Sequence, residues 1–429
     1  MRLLLFLYKI LITVLLPVLI TRLLFRSIGD RSYRVNLRER LAFYSHDASA
    51  DIWVQAVSLG EVRASAELVE SLLQEFPKCK VLITSTTPSG SAEVRRLFGN
   101  RVKHSLMPYD SALVVRSALS QICPKAVILM ETEIWPVLLD ELSKLGIPSF
   151  LVNGRMSSKS ANGYRRFSAL TRPLFGYFDT VYAQYESDRD NFISLGVQSK
   201  SVTLMGNLKF DSSLPKDLAK RVGNIDERFQ KKKGLSWIAA STRSGEERKI
   251  LRAHRGLLEK FPHLMLFLAP RHIERVKEVE ELISRFKLRA VLLSEMDQQS
   301  LEEGIVLLID RVGILLEIYS LTDIAFVGGS LVPSGGQNPI EPALLEKPIL
   351  YGPHRQNFLE VTSRLAFGGG LRFVNDEIEL EQELFHLLSN DVLRSQVGLR
   401  AKESANKERG SLAKLEGSLF EKLGQLNIN

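Results

Sequence analysis

Short apolar runs rich in β-branched residues recur along this chain, with amphipathic helical stretches between them. That alternation restricts the fold more than any other feature of the sequence. A first series reads DIWVQAV (51–57), KVLITS (80–85), AVILM (126–130), PSFLV (148–152) and TVYAQ (180–184). Helix-like segments such as VRASAELVESLLQEF (62–76) lie between these runs. Strands that are apolar throughout are buried on both faces, which means a parallel sheet covered by helices on each side. A second series reads SWIAA (236–240), LMLFLA (264–269), AVLL (290–293), GIVLLI (304–309), DIAFVGG (323–329) and KPILYG (347–352). The polar stretch DSSLPKDLAKRVGNIDERFQKKKG (211–234) between the two series reads as the hinge. A chain of 429 residues is too long for one ordinary core, so the expectation is an α/β protein of two Rossmann-like domains. Ligands of such sheets bind beyond the carboxyl ends of the strands. Two facing domains would then offer a cleft for a nucleotide-sugar donor and its acceptor.

The sequence begins with a different signal. Residues 3–25 read LLLFLYKILITVLLPVLITRLLF, interrupted only by Lys9 and Arg22. About 20 apolar residues suffice to cross a bilayer core. No small-x-small cleavage site follows, which argues against a removable signal peptide. Instead come Arg26, Arg31, Arg34, Arg38 and Arg40, a basic collar that suits an anionic membrane surface and places the globular part in the cytoplasm. Lys9 and Pro17 leave open whether the helix spans the membrane or lies embedded in one leaflet.

The remaining composition mainly excludes. Formal net charge is +8, but no nucleic-acid recognition motif is present and the basic residues lack interleaved aromatics. Two cysteines, Cys79 and Cys123, are too few for a secreted disulfide scaffold and read as small core residues in a reduced compartment. There is no Walker A sequence, no HExxH, no Cys/His metal cluster and no Asp-x-Asp of the metal-dependent transferase type. No metal or other cofactor is expected.

Four motifs at strand ends carry the chemistry. Ser58–Glu61 (SLGE) places Glu61 at a helix start, where the positive helix end favours an ionised carboxylate able to accept a proton from a hydroxyl. Ser58 and Gly60 would let an acceptor approach; the plain reading of Glu61 is a dipole-complementing first-turn residue. In METEIWP (130–136), Glu131 and Glu133 share one side if the strand continues, or simply cap a helix. In GGSLVPSGGQNPIEPA (328–343), Gly329, Ser334, Gly335 and Gly336 can aim backbone N–H groups at a phosphate. A helix is expected from about Asn338, with Glu341 one turn in and placed to meet a ribose diol. In APRH (269–272), Arg271 can pair with phosphate and His272 can contact base or phosphate. STRSGEE (241–247), with Arg243, and GPHRQNF (352–358) add further polar strand ends, and GNLKF (206–210) puts Lys209 near the hinge.

With these segments in view, the chain resembles the bacterial lipid A–Kdo transferases, which have the GT-B fold. The resemblance runs from the anchor helix to the C-terminal helices through AVSLGE, METEIWP, NGRMS, GNLKFD, APRH and FVGGSLVPSGGQNPIEPA. It implies transfer of 3-deoxy-manno-octulosonic acid (Kdo) from CMP-Kdo to a tetraacylated lipid A precursor at the inner membrane. It implies residues 1–26 as anchor, 27–212 as the acceptor-binding domain, and 213–429 as the CMP-sugar-binding domain with the terminal helices. Glu61 matches the family's proposed base, and Arg271–His272 and the 334–341 loop match its CMP-binding elements. Departing CMP carries less charge than a diphosphate, so Arg271, Lys209 and a helix N-terminus are expected to stabilise it in an inverting displacement. Other readings are a UDP-sugar transferase acting on a lipid-linked acceptor, a nucleotide-sugar epimerase of the same fold, and a membrane scaffold that has lost catalysis.

Overall fold

The computed structural model describes residues 2–29, 31–211, 214–215, 217–229, 234–296 and 305–428. The chain divides into two compact units, one of residues 1–212 with 409–429 and one of residues 213–408.

The first unit is built on a parallel sheet of seven strands: β1 (Ile52–Gln55), β2 (Val81–Ser85), β3 (Lys103–Leu106), β4 (Ala126–Met130), β5 (Ser149–Gly154), β6 (Thr180–Ala183) and β7 (Val202–Leu204). Their order is β3-β2-β1-β4-β5-β6-β7, so the winding reverses between β1 and β4. The second unit repeats the plan with β8 (Ser236–Thr242), β9 (Met265–Pro270), β10 (Arg289–Leu292), β11 (Ile305–Leu308), β12 (Ile324–Val327), β13 (Ile349–Tyr351) and β14 (Leu371–Phe373). Its order is β10-β11-β9-β8-β12-β13-β14, with the reversal between β8 and β12. At such a switch point the loops on either side diverge and leave a crevice at the carboxyl edge.

The central strands are buried on both faces, as their unbroken apolar runs require. Each unit sets a tryptophan in its first strand, fully buried, with the indole N–H satisfied. Trp53 donates to Thr84 Oγ1 at 2.8 Å, and Trp237 donates to His254 Nδ1 at 3.3 Å. Three strands carry no apolar run in the sequence. These are β3 (KHSL), β7 (VTL) and β14 (LRF), and all lie at sheet edges where one side needs no covering.

The C-terminal end differs from the expected boundary. The helix Ser411–Gly424 belongs to the first unit. Leu415, Leu419 and Leu423 recur every fourth residue and are fully buried in the same core cluster as Ile52, Val81 and Ile83. Asp211 receives the chain there, accepting the N–H of Gly410 (2.6 Å) and of Leu412 (2.8 Å). The polar stretch 211–234 is likewise more than a hinge. Its helix Leu218–Phe229 belongs to the second unit, where Arg221 pairs with the buried Glu317. Cys79 is buried as expected, but Cys123 is exposed, in a left-handed conformation that ends the helix Ala112–Ile122.

Among the described residues one helix, α1 (Arg2–Gly29), contains a stretch, Leu3–Phe25, long and apolar enough to cross a membrane. One stripe of it rests on the first unit. Leu5 is buried, and Tyr8 and Leu16 pack against the core. Lys9 Nζ lies 2.5 Å from Asp140 and 2.8 Å from Glu141, both on the helix Pro136–Leu145. The opposite face, including Leu3, Phe6, Leu7, Leu11, Val14 and Val18, is exposed.

Candidate active site

In the first unit the candidate side chains come from the loops after β1 and β4, on either side of the switch point. Ser58 caps the helix Leu59–Ala64, its Oγ accepting the N–H of Glu61 at 3.3 Å. Ser58 Oγ also donates to Glu61 Oε1 at 3.0 Å, and the N–H of Val57 donates to Glu61 Oε2 at 2.8 Å. Ser58 thus caps the helix and Glu61 reaches back to the backbone just before the cap, so the plain structural role of Glu61 is real. It does not account for the electrostatics. Burial, then the charges of Glu133 and Glu131, push the Glu61 carboxyl up to about 8, against the two hydrogen bonds that favour its ionised form. The helix end was expected to keep Glu61 ionised; desolvation and two like charges outweigh it. A Cβ at Gly60 would meet only Ser58 Oγ, at 3.8 Å, so the fold does not demand glycine there and the surface beside Glu61 stays open.

Glu131 and Glu133 do not continue a strand. β4 ends at Met130, and Glu131 turns into the left-handed region at φ 55°. Its N–H donates to Val152 O, and its own carbonyl accepts from the N–H of Arg155, which holds the turn to β5. The Glu131 carboxylate is buried and lies 2.5 Å from Lys209 Nζ. Glu133 accepts the indole N–H of Trp135 at 2.7 Å, and burial raises its carboxyl to about 7. The first unit therefore gathers three carboxylates, one of them paired with a lysine. Lys209 was expected to meet a departing phosphate; here its charge is committed to Glu131. Contrary to the reading of the sequence above, one Asp-x-Asp is present, Asp188–Arg189–Asp190, but its first aspartate is buried and turned to the backbone. Asp188 accepts the N–H of Met156 and of Tyr185.

In the second unit the loops after β8, β9 and β12 converge. The N–H of Arg271 donates to Thr242 O at 3.0 Å, which ties the loop after β9 to the end of β8. Arg243 Nη1 donates to His272 Nε2 at 2.8 Å. Loss of hydration, then the charges of Arg243 and Arg271, hold His272 below its ordinary pKa, so its neutral ring acts as an acceptor. The loop thus presents two arginines and a neutral imidazole together, as the Arg-His motif suggests.

The glycine-rich loop is different from the expectation. Fully buried Glu246 accepts the N–H groups of Gly329 (2.7 Å), Ser330 (2.8 Å), Leu331 (2.8 Å) and Arg243 (2.9 Å). The amides expected to cradle phosphate at the start of the loop are filled by the protein's own carboxylate. Further along, Ser334 N–H donates to Val332 O and Gly336 N–H to Gly329 O. Gly336 sits at φ 79° with an added Cβ only 1.9 Å from Tyr351 Oη, so no other residue fits there. Tyr351 in turn donates to Gln337 O at 2.8 Å, and Asn357 grips the loop through Ser334 O, Gly335 O and Gly336 O. Asn338 Oδ1 accepts the N–H of Ile340, and the helix that follows runs only from Ile340 to Leu344, two residues later than expected, with Glu341 in its first turn. The neighbouring Glu247, also buried, accepts from Thr242 Oγ1 (2.9 Å) and Arg275 Nη1 (2.7 Å). In the sequence Glu246 and Glu247 look like ordinary first-turn acids, and nothing local distinguishes them.

Comparison with known proteins decides the family. A family model described as 3-deoxy-D-manno-octulosonic-acid transferase (Kdo transferase) matches residues 35–212. The 3-deoxy-D-manno-octulosonic acid transferase of Haemophilus influenzae is 33% identical over 414 residues, covering 96% of each chain. The chain belongs to this transferase family. A Kdo transferase of Bordetella pertussis is also 33% identical, over 392 residues and 88% of each chain. Among solved structures, UDP-GlcNAc 2-epimerase from Neisseria meningitidis bound to UDP-GlcNAc has a TM-score of 0.59 at 15% identity, over 86% of this chain and 99% of that one. At that identity the likeness concerns the fold alone, which is of the GT-B kind. Membership among the Kdo transferases makes the chain a glycosyltransferase, and the strand-end loops of its two sheets are where its substrates are to be sought.

Proposed function

We propose that this glycosyltransferase moves Kdo from CMP-Kdo to a tetraacylated lipid A precursor at the cytoplasmic face of the inner membrane, with inversion and without a metal ion. The observation that carries this reading is Glu61, a half-buried carboxyl with a pKa of about 8 beside two more carboxylates. A base whose pKa lies near the working pH takes a proton efficiently from a hydroxyl, an effect worth roughly 10²–10⁴-fold. Glu61 removes the proton of the acceptor hydroxyl as that oxygen attacks the sugar carbon, and the bond from that carbon to the CMP phosphate breaks. Glu131, held by Lys209, and Glu133 tune Glu61 and accept hydrogen bonds from acceptor hydroxyls. In the second unit Arg271 and Arg243 neutralise the departing phosphate, and His272 accepts a hydrogen bond from the nucleotide. Asn338, at the end of the glycine loop, and Glu341, in the first turn of the helix after it, receive the ribose.

The anchor supports a lipid acceptor. Lys9 is bonded to Asp140 and Glu141 of the globular unit, so α1 stays with that unit along one stripe and offers its opposite apolar face to lipid. That arrangement favours a helix embedded in one leaflet over one that leaves the protein to cross the bilayer. The test uses detergent-solubilised full-length protein, CMP-Kdo generated in place, the lipid A precursor and a chelator. Wild type should add Kdo, read as mass increments on the lipid, and folded Glu61→Ala should not. Transfer from UDP-GlcNAc instead, or undiminished transfer by Glu61→Ala, would overturn the reading.

A further inference from the structure

The helix Pro136–Leu145 begins directly after the loop that carries Glu131 and Glu133, and its own N-cap residue cannot cap it. That residue is Trp135, whose side chain makes no cap bond. An indole has a donor and no acceptor, so it cannot take the free N–H groups of a first turn. It turns back instead and donates to Glu133 Oε2 at 2.7 Å. Pro136 at the first helical position removes one of the free N–H groups. Asp110 takes the next two. Its Oδ2 accepts the N–H of Val137 at 3.0 Å and its Oδ1 that of Leu138 at 2.9 Å. Asp110 stands just before the helix Ala112–Ile122 and reads in the sequence as an acid at the start of that helix. Its buried carboxylate crosses to the neighbouring helix and does there what a capping side chain normally does.

The N-terminal helix α1 grips the same assembly with two consecutive residues. Tyr8 Oη donates to Asp110 Oδ2 at 3.5 Å. Lys9 Nζ binds Asp140 and Glu141 in the second turn of the helix that Asp110 caps. All three hydrogen-bond partners of Asp110 are donors, and with the charge of Lys9 they favour its ionised form against a burial that pushes the carboxyl up to about 7. Tyr8, Ile134 and Trp135 pack on one core cluster.

From the cap the chain of contacts runs to Glu61. Asp110 fixes the start of the helix, the helix fixes Trp135, and Trp135 holds Glu133. After burial, the charge of Glu133 is the main cause that raises Glu61, followed by Glu131, which Lys209 pairs. Glu133 itself faces Glu131 and Tyr164. We propose that Asp110, with Tyr8 of α1 bonded to it, is a positioning residue of the transferase: it fixes the start of the helix Pro136–Leu145 and so keeps Trp135 and Glu133 in place beside Glu61. The anchor helix is then a brace of the reaction site as well as a tether. This rests on Glu61 as the base proposed above.

The test uses detergent-solubilised full-length protein. Asp110→Asn keeps one acceptor oxygen and leaves one N–H unmet, and Tyr8→Phe removes only the hydroxyl. Leu419→Ala, in the core under the terminal helix, is destabilised without touching these bonds. In Asp110→Asn the pH at which kcat rises should move down by about one unit, because a Glu133 held less firmly raises Glu61 less. Tyr8→Phe should move it the same way by less, with the KM values for donor and acceptor unchanged in both variants. Leu419→Ala should melt lower and keep the wild-type profile. A profile that does not move in Asp110→Asn, or that moves as far in Leu419→Ala, overturns the proposal. Should Asp110→Asn fail to fold, Tyr8→Phe decides by the same criterion. Emission of Trp135, taken as the difference between wild type and Trp135→Phe, reads the geometry without turnover, since the indole senses the proton on Glu133. It should titrate near 7 in wild type and lower in Asp110→Asn. If wild type transfers no Kdo, the functional reading has failed and this titration still decides: a lowered midpoint in Asp110→Asn upholds the positioning, and an unmoved one overturns it.

Discussion

Glu61 combines two roles that pull its pKa in opposite directions. The capping bonds from Val57 and Ser58 favour the carboxylate, while burial and the two glutamates favour the acid. The acid wins, so the resting group near neutral pH is largely protonated, and it titrates together with Glu133. Folding raises this pKa above its unfolded value near 4.5 to about 8, so the associated stability is full at acid pH and is lost as pH rises through 8. Glu61→Gln should therefore melt at the same temperature as wild type near pH 5 and at a higher one above pH 8. Its turnover should fall roughly 10²–10⁴-fold, and the rise in rate that wild type shows with pH should vanish. Glu246 is the opposite case, an acid with four backbone donors and no open side. Glu246→Ala leaves those N–H groups buried and unpaired, at about 3 kcal/mol or more. Trp237 is the tryptophan of the second unit, and its emission during urea unfolding reports that loss.

Among the elements, the strands visible in the sequence are mostly those covered on both faces; β10, a partly exposed edge strand with an apolar run, is the exception. β1, β4, β8 and β12 are continuous apolar runs because a helix layer lies on each side. β3, β7 and β14 sit at edges, need little apolar surface and gave no pattern. The strand ends were equally legible, because SLGE, APRH and the glycine loop stand where a parallel sheet exposes its carboxyl edge. The helix Ser411–Gly424 was visible as a helix but not by its destination. Its leucine stripe fits any apolar sheet face, and only the packing selects the first unit. Leu419→Ala should then cost about 2–5 kcal/mol in the first unit, where deuterium exchange of β1 and β2 would accelerate while β8 and β12 remain protected.

For the whole molecule, the proposed reaction leaves phosphate neutralisation to Arg243 and Arg271, because the glycine loop's first amides belong to Glu246. A chelator such as EDTA should leave transfer within about twofold of its untreated rate, and added Mg²⁺ should not raise it, measured on metal-free buffers. A rate that collapses with EDTA and returns with Mg²⁺ would place a cation at the phosphate instead.

The sequence by itself determined the α/β class, the two series of strands, the apolar N-terminal helix and the strand ends that carry the candidate residues. These follow from local periodicity and from residue types that must stand where a chain turns. The tertiary structure alone decided how those residues are used. It gave Lys209 to Glu131, filled the glycine loop with Glu246, made Glu61 an acid of pKa about 8, and returned the last helix to the first unit. Each of these depends on burial and on partners distant in sequence, and neither desolvation nor a long-range hydrogen bond leaves a local mark in the chain.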